Sequence, residues 1–214
     1  MKYQLIIFDW DGTLMDSIPK IVNSLKMAAR RADVPEPKER DATAVIGLSL
    51  EVAIATLFPE HKALWRQLVD AYQVSYRESD SFEPVMFEGT AELLMALRDQ
   101  GLLLAVATGK SRKGLNRVLN ESGLSDYFVT SRTADEASSK PAPDMLEQII
   151  NELGVAASSA LMVGDSLLDM QMANGANIDA VAMSWGAADT VALSATNALT
   201  VCDNYAQLQS AIFR

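Results

Sequence analysis

The sequence predicts an α/β fold, a Rossmann-like parallel sheet with helices on both faces, into which a separate helical segment is inserted. Two observations carry this prediction. Residues 5–8, 102–107 and 160–163 are short, continuously apolar runs bounded by polar residues, which is typical of strands buried on both faces of a sheet. From residue 90 onward, such runs alternate with amphipathic helical patterns, as they do in consecutive βαβ units.

The first apolar run is followed by helical patterns rather than by a second strand. Apolar residues recur at helical spacing over 17–32, with Ser17 as the expected N-cap and Pro19 in the first turn, and residues 34–38 interrupt the pattern. Further helical patterns follow at 40–46, 47–58 and 61–79.

These patterns divide the chain into two predicted parts. We expect residues 16–82 to form a helical insertion after the first strand, and residues 1–15 and 83–214 to form the sheet domain. Residues 82–89, which contain a proline and a glycine, are interpreted as the linker by which the chain returns to the sheet.

The remaining elements follow from the same alternation. Helices are predicted at 90–100, 111–122, 144–153, 167–174 and the C-terminus, and strands at 127–130 (a weak pattern), 178–183 and 199–202.

Composition excludes several classes of function. A net charge of -10 and a pI near 4.6 disfavour nucleic acids and anionic membranes as partners, because both would be repelled. Cys202 is the single cysteine and His61 the single histidine, which excludes disulfides, thiolate metal sites and histidine-dependent triads. The N-terminal apolar run is too short for a signal peptide, and no run approaches a membrane span, so we expect a cytoplasmic protein.

Two carboxylates follow the first strand. Because side chains alternate along an extended segment, Asp9 and Asp11 point the same way, with Trp10 opposite. Two carboxylates at such a short separation imply a bound metal, another cation or a shared proton. Gly12 then allows a sharp turn, and Thr13 can bond its backbone. The alternative for this stretch alone is an ordinary Asp-Gly hairpin turn.

Polar residues also follow the other predicted strands. Thr108, Gly109 and Lys110 come after residues 102–107, whereas Asp165, with Asp169 one helical turn later, comes after residues 160–163, and Lys140 precedes a helix. Ligands of open parallel sheets bind at the carboxyl ends of the strands. Each residue alone could be a helix cap or a solvated charge, but their coincidence at successive strand ends indicates a site for a metal and a phosphate.

These residues resemble the motifs of the haloacid dehalogenase superfamily, specifically its phosphatases with a helical cap domain inserted after the first motif. DWDGTLMDS resembles the first motif, Thr108 in VATGK the second, Lys140 in SSKPAPD the third, and GDSLLD the fourth. The pattern as a whole, including Trp185-Gly186, is most similar to phosphoglycolate phosphatase-like members. Trp10 replaces the commoner Phe, and Asp11 disfavours the dehalogenases, which lack the second acid.

The resemblance implies a magnesium-dependent phosphatase acting on a small phosphate monoester, phosphoglycolate-like or a sugar phosphate. It implies Asp9 as the nucleophile that forms an aspartyl phosphate, and Asp11 as the general acid and base. Mg²⁺ would be held by Asp9, the Asp11 carbonyl and Asp165, with Asp169 orienting a metal-bound water or Lys140. Thr108 and Lys140 would bind the phosphate. The remaining expected substrate-binding positions are Gly12, Thr13, Gly109, Lys110 and, in a cap turn, Gly47.

Three alternatives remain open at this point. A phosphosugar mutase or a pyrophosphatase of the same superfamily would keep every motif. A phospho-accepting receiver domain would use similar residues but needs no helical insertion, and a catalytically silent binding protein would retain three acids without using them. The expected partner is a small phosphorylated metabolite, without nucleic acid or membrane, and the expected state is a monomer or a weak homodimer.

Overall fold

The computed structural model describes residues 2–78 and 82–213, and within them the chain forms a six-stranded parallel sheet. The strand order is β5-β4-β1-β6-β7-β8, with every neighbouring pair parallel. The predicted α/β fold with a parallel sheet is therefore confirmed. The strands are β1 (Leu5–Phe8), β2 (Met15–Asp16), β3 (Val85–Met86), β4 (Leu103–Thr108), β5 (Thr130–Thr133), β6 (Ala160–Gly164), β7 (Asp179–Met183) and β8 (Val201–Cys202).

Helices cover both faces of this sheet. One face packs on α5, α6 and α10 through a buried cluster that includes Leu94 and Leu97, and the other packs on α7, α8 and α9 through a cluster that includes Met145 and Ile149. The helices are α1 (Ile18–Arg31), α2 (Glu39–Ala44), α3 (Leu50–Leu57), α4 (Trp65–Glu78), α5 (Thr90–Asp99), α6 (Arg112–Ser122), α7 (Asp144–Leu153), α8 (Leu167–Gly175), α9 (Thr190–Ser194) and α10 (Tyr205–Ile212).

Strand β1 lies at the centre of the sheet, and this fixes where the motifs meet. All four of its residues are fully buried, as a continuous apolar run predicts. Phe8, its last residue, is in register with Val106 of β4 on one side and Val163 of β6 on the other. The residues that follow β1, β4 and β6 therefore emerge side by side at one edge of the sheet.

Helices α1 to α4 pack on one another around a buried core of their own. Leu25, Ile54 and Leu68 are at its centre and are almost fully buried. This core is separate from the two clusters on the faces of the sheet. The division of the chain into a sheet domain and a helical domain at residues 16 and 82 stays a prediction, and residues 79–81 of the return segment lie outside the described part of the chain.

Three predicted elements differ from the structure. The weak strand expected at 127–130 is wrong: β5 is Thr130–Thr133, an edge strand whose half-exposed positions hold polar residues, and a 3₁₀ turn occupies Ser125–Tyr127. The helix expected from residue 61 begins at Trp65, after the 3₁₀ segment Pro59–Leu64. The linker expected at 82–89 contains β3, which pairs antiparallel with β2 in a two-stranded ribbon.

In the described residues, none of the helices has the length and apolar composition needed to cross a membrane.

Candidate active site

Three carboxylates and one lysine meet at the carboxyl edge of the sheet, and we call Asp9, Asp165, Asp169 and Lys140 the carboxylate cluster. One oxygen of each carboxylate lies within 4.8 Å of those of the other two. Lys140 Nζ lies 2.9 Å from Asp9 Oδ1 and 2.6 Å from Asp169 Oδ1. All four side chains are at most 2% exposed, so these charges interact with little screening by water.

Asp169 is held by the start of its own helix. It forms a capping box with Ser166, whose backbone N and hydroxyl both donate to Asp169 Oδ2, at 3.1 and 2.6 Å, while Lys140 donates to Oδ1. Gly164 leaves the necessary room, since a Cβ there would stand 2.4 Å from Asp169 Cβ. Both oxygens of Asp169 are thus occupied, an arrangement suited to orienting Lys140.

Asp165 is fixed by a different set of donors. Thr13 Oγ1 donates to its Oδ1 at 2.6 Å and the Ala187 backbone N donates to its Oδ2 at 2.7 Å. Gly12 and Gly186 pack against the same carboxylate, where a Cβ would come within 2.3 and 2.0 Å of Oδ2 respectively. Predicted positions Gly12 and Thr13 therefore lie beside Asp165, and Ala187 is a contributor that no side-chain pattern could have indicated.

Asp11 lies outside the carboxylate cluster and has its own cation. Its Oδ1 accepts a hydrogen bond from Ser17 Oγ at 2.5 Å and lies 2.8 Å from Lys110 Nζ. The Asp11 and Lys110 side chains are 11% and 10% exposed, so Lys110 is part of a buried ion pair rather than a solvated charge. The two acids of the first motif thus pair with two different lysines. Trp10 points away from them, buried against Phe128.

Burial perturbs the titration of the carboxylate cluster. Desolvation, opposed by the positive charge of Lys140, raises the pKa of Asp9 from 3.8 to about 7, and desolvation likewise raises the pKa of Asp165. Burial alone would lower the pKa of Lys140, but attraction to Asp169 and Asp9 outweighs it and raises that pKa, so this lysine stays charged.

The cluster fits a divalent cation. Three carboxylates and one ammonium carry a net charge of about -2 when ionised, which a dication would neutralise. Their donor atoms are all oxygens, the ligands that Mg²⁺ prefers. The residues present are therefore suited to Mg²⁺, and Asp9 and Asp165, neither of which is hydrogen-bonded to the start of a helix as Asp169 is, would hold it.

The loop after β4 brings the helical segment to this edge. Thr108 is fully buried, and its hydroxyl accepts a hydrogen bond from the Lys110 backbone N at 3.3 Å. Gly109 touches the turn after α2 so closely that a Cβ would lie 2.4 Å from the Gly47 carbonyl oxygen. Ser49 N also donates to Ser139 Oγ at 2.8 Å. The turn at residues 47–49 therefore lies against both loops that carry the predicted phosphate-binding residues.

A cavity of about 740 Å³ opens between the loop after β4 and the helical segment. Asp11, Gly47, Gly109 and Lys110 are among the residues that line it. Three predicted substrate-binding positions and the predicted general acid therefore border one space.

Sequence reasoning did not identify Ser17 as a partner of Asp11, because its position before a helix suggested a cap. The Ser17 side chain makes no capping hydrogen bond.

Comparison with known proteins agrees with this geometry. A model of the family described as haloacid dehalogenase-like hydrolase matches residues 6–183. The chain is 34% identical over 212 residues to a Dickeya dadantii protein named "Probable phosphatase IndB", covering 97% of this chain and 92% of that protein. It is 30% identical to "Tyrosine-protein kinase PtkA" of Mycobacterium tuberculosis, covering 98% and 72%, and 28% identical to the phosphoglycolate phosphatase of Vibrio vulnificus, covering 97% and 95%.

Solved structures share the fold. The crystal structure of a hydrolase from Pseudomonas syringae matches with a TM-score of 0.88 and 24% identity, covering 98% of each chain. This likeness supports the α/β architecture and carries no statement about the reaction.

Proposed function

The chain belongs to the haloacid dehalogenase-like hydrolase family, and from this premise we propose that it is a magnesium-dependent phosphatase that hydrolyses a phosphate monoester of a small metabolite through an aspartyl phosphate. The observation that carries the proposal is the carboxylate cluster: a buried acid at the end of the central strand, paired with a buried lysine and facing two further acids. A phosphoryl group in transit needs an in-line nucleophile and neutralisation of its oxygens, and this edge of the sheet holds groups of both kinds.

Asp9 is the proposed nucleophile. Its carboxylate attacks phosphorus, and the bond from phosphorus to the leaving-group oxygen breaks. The attack needs the ionised form, whereas burial, only partly offset by Lys140, raises the pKa of Asp9 to about 7. Mg²⁺ held by Asp9, Asp165 and the Asp11 carbonyl would supply the missing positive charge, which would favour the ionised carboxylate and neutralise phosphate oxygens. Thr13 and Ala187 keep Asp165 in place for that purpose.

Asp11 is the proposed acid and base. In the first step its carboxyl proton goes to the departing oxygen; in the second it takes a proton from the water that attacks the aspartyl phosphate, which releases inorganic phosphate and restores Asp9. Ser17 and Lys110 fix the Asp11 carboxyl outside the carboxylate cluster, so it is free to exchange protons while Asp9 reacts.

Thr108, the Gly109 backbone N and Lys140 are the proposed phosphate contacts. Lys140 reaches both Asp9 and Asp169, so it can neutralise charge on the phosphoryl group while Asp169 holds it in position. We also propose that residues 16–82 act as a cap domain, whose turn at residues 47–49 excludes water from the reacting groups.

The experiment is phosphate release from phenyl phosphate, with Mg²⁺ or with EDTA, by the wild type and Asp9→Asn. This change keeps the shape of the side chain and removes its nucleophilic charge, so we expect the rate to fall by about 10⁶-fold, the scale on which removal of a nucleophile lowers kcat in other enzymes. Asp70→Asn is the matched control, because Asp70 lies on an exposed face of α4, paired only loosely with Arg66. Equal rates for wild type and Asp9→Asn, or full activity in EDTA, would contradict the proposal.

A second candidate function is transfer of the phosphoryl group to an acceptor other than water, as in a phosphosugar mutase. It is favoured by the similarity to PtkA, whose name is that of a phosphoryl transferase. The two functions separate when the wild type is given a sugar monophosphate with a trace of its bisphosphate: isomerised sugar phosphate supports transfer, and free phosphate supports hydrolysis.

A further inference from the structure

The cavity beside Asp11 and Lys110 is large for a simple leaving group. Its volume of about 740 Å³ falls in the range of sites that enclose drug-sized ligands, and a two-carbon acid would occupy a small part of it. The space is not explained by separation of the helical segment from the sheet, because the Gly47 carbonyl is in close contact with Gly109.

One wall of the cavity is apolar. It is built from α1, the turn after α2 and α3, whose side chains here are no more than 9% exposed: Ile21, Leu25, Val45, Ile46 and Ala53. Tyr72 and Tyr76 of α4 also border the space, with ring centroids 5.9 Å apart. Burial of an apolar ligand against such a wall is favourable, whereas a small, fully hydrated acid gains little binding free energy from it.

The other feature is a group of cations around one ring, which we call the Tyr76 cluster: Tyr76, Lys20, Lys110 and Arg117. The distances from the ring centroid are 5.2 Å to Lys20 Nζ, 5.6 Å to Lys110 Nζ and 5.3 Å to Arg117 Cζ. Three positive groups thus surround a single side chain in a protein whose net charge is -10.

The three cations are neutralised to different degrees. Lys110 pairs with Asp11, and Arg117, whose side chain is 39% exposed, forms a long ion pair with Glu121 at 3.8 Å, beyond hydrogen-bond distance. Lys20 is 8% exposed and has neither a hydrogen bond nor an ion pair from its ammonium to any residue within 2–78 and 82–213. A buried cation without a counter-charge is costly, so the cluster is suited to receiving an anion.

The Tyr76 hydroxyl points to the same conclusion. It is buried in the wall of the cavity and has no hydrogen-bond partner among the described residues. Burial raises the pKa of this phenol above its ordinary value of 10.0, so the hydroxyl keeps its proton at neutral pH and can donate it. A buried donor without a partner, near a lysine ammonium that has no counter-charge among the described residues, is an environment that an anionic oxygen would complete.

We propose that this cavity binds the leaving group of the substrate, and that the leaving group has an apolar, ring-sized body carrying a second anionic group, which the Tyr76 cluster receives. This inference rests on the proposed phosphatase function, since it assigns the substrate class of the same site. Lys110 connects the two parts: it lies beside Asp11, which would protonate the leaving oxygen, and beside Tyr76.

The test compares phenyl phosphate with 4-carboxyphenyl phosphate, which differ by one carboxylate. We expect the wild type to prefer the carboxylated ester in kcat/KM by about tenfold or more, the value of one charge-assisted hydrogen bond. In Arg117→Gln and Lys20→Met the ratio between the two esters should fall by roughly tenfold, and in Tyr76→Phe by about threefold. Differences in leaving-group reactivity between the two esters cancel when this ratio is compared between the wild type and a variant.

Two controls match these variants in chemistry. Arg66→Gln changes an exposed arginine of α4, and Lys62→Met an exposed lysine of the 3₁₀ segment, so both should keep the wild-type ratio. The same preference should appear without turnover, as tighter calorimetric binding of 4-carboxyphenyl phosphate than of phenyl phosphate to Asp9→Asn.

The outcomes separate this inference from the proposed function. A wild type that hydrolyses both esters with Mg²⁺ and Asp9 at equal efficiency, or a preference that survives Arg117→Gln and Lys20→Met, overturns the inference and leaves the phosphatase standing. Failure of the wild type to release phosphate from either ester overturns the phosphatase. In that case the calorimetric comparison still decides the anion site, and equal binding of the two esters would overturn it.

Discussion

The carboxylate cluster and the Tyr76 cluster are two groups of ionisable side chains with opposite charge, the first fully buried and the second partly buried, and the Asp11–Lys110 pair lies between them. The first has three acids around one lysine, at the ends of sheet strands and in the loops beside them. The second has three cations around one tyrosine and is built from helices α1, α4 and α6 and the loop before α6. The carboxylate cluster is therefore suited to binding a cation, and the Tyr76 cluster to binding an anion.

This difference suggests how reaction and selectivity are divided. Lys140 joins Asp9 and Asp169 through short, fully buried contacts, so a change in any of these side chains disturbs the proposed reacting groups directly. Lys110 of the Tyr76 cluster pairs with Asp11, whereas Lys20, Tyr76 and Arg117 form no hydrogen bond or ion pair with those acids among the described residues. They can therefore change the preferred leaving group while the proposed chemistry at Asp9 stays the same.

The largest contrast should appear when one buried lysine is removed from each cluster. Lys140→Met leaves three buried acids without their cation, and we expect the metal-free protein to lose about 3–5 kcal/mol of unfolding free energy. Lys20→Met removes a buried charge that has no carboxylate partner among the described residues, so its unfolding free energy should stay equal or rise. Urea unfolding in EDTA measures both.

Similar losses in the two lysine variants would show that the clusters do not differ in how their charges are compensated. Addition of Mg²⁺ sharpens the contrast further. It should recover part of the stability of Lys140→Met, because a dication can replace the missing ammonium, and should leave Lys20→Met unaffected.

Much of the fold could be predicted because strands β1, β4 and β6 are continuous apolar runs, a pattern that only burial on both faces explains. The same search for apolar runs placed the predicted strand too early in the chain at β5. This edge strand pairs on one side only, so polar residues are tolerated along it, and the apolar residues before it belong to a turn. The two-residue ribbon β2–β3 is too short for any periodicity to indicate.

The same reasoning explains which part of the site could be predicted. Asp9, Lys140, Asp165 and Asp169 follow strands or begin helices, and a parallel sheet brings such positions to one edge whatever the details of packing. The Tyr76 cluster joins residues far apart in the sequence, on helices whose mutual placement is decided by side-chain packing. Neither charge pattern nor spacing along the chain relates Lys20 to Arg117, so no sequence signal could have identified the cluster.

A smaller effect is expected at Gly109, where the two regions touch. In Gly109→Ala the new Cβ would lie 2.4 Å from the Gly47 carbonyl oxygen and 2.6 Å from that of Leu48, and backbone must move to relieve the overlap. Displacing the loop that carries Lys110 by a fraction of an ångström should lower kcat/KM for phenyl phosphate by about ten- to a hundredfold. Gly175→Ala is the control, since its Cβ meets only ordinary contacts at 3.5 Å or more. Equal kcat/KM in the two variants would mean that this contact does not position the site.

The effect that is smallest per unit change is a pH dependence of stability, which we expect to arise in the carboxylate cluster. In the metal-free protein the pKa of Asp9 is about 7, against 3.8 for an ordinary Asp, so between these values the folded state holds a proton that the unfolded state has lost. Stability must then fall as the pH rises through this window, by up to about 1.4 kcal/mol per pH unit for this one group, and level off above pH 7. Tyr76, whose pKa lies above 10.0, adds no pH dependence of stability there.

Urea unfolding in EDTA measures this decline, and we expect it for the wild type and for Asp70→Asn. In Asp9→Asn the decline should be shallower, because the raised pKa of Asp165 still contributes. With saturating Mg²⁺ the wild type should show little dependence on pH. An equal slope in Asp9→Asn and the wild type would show that Asp9 is ionised across the whole window, and that Lys140 alone compensates its burial.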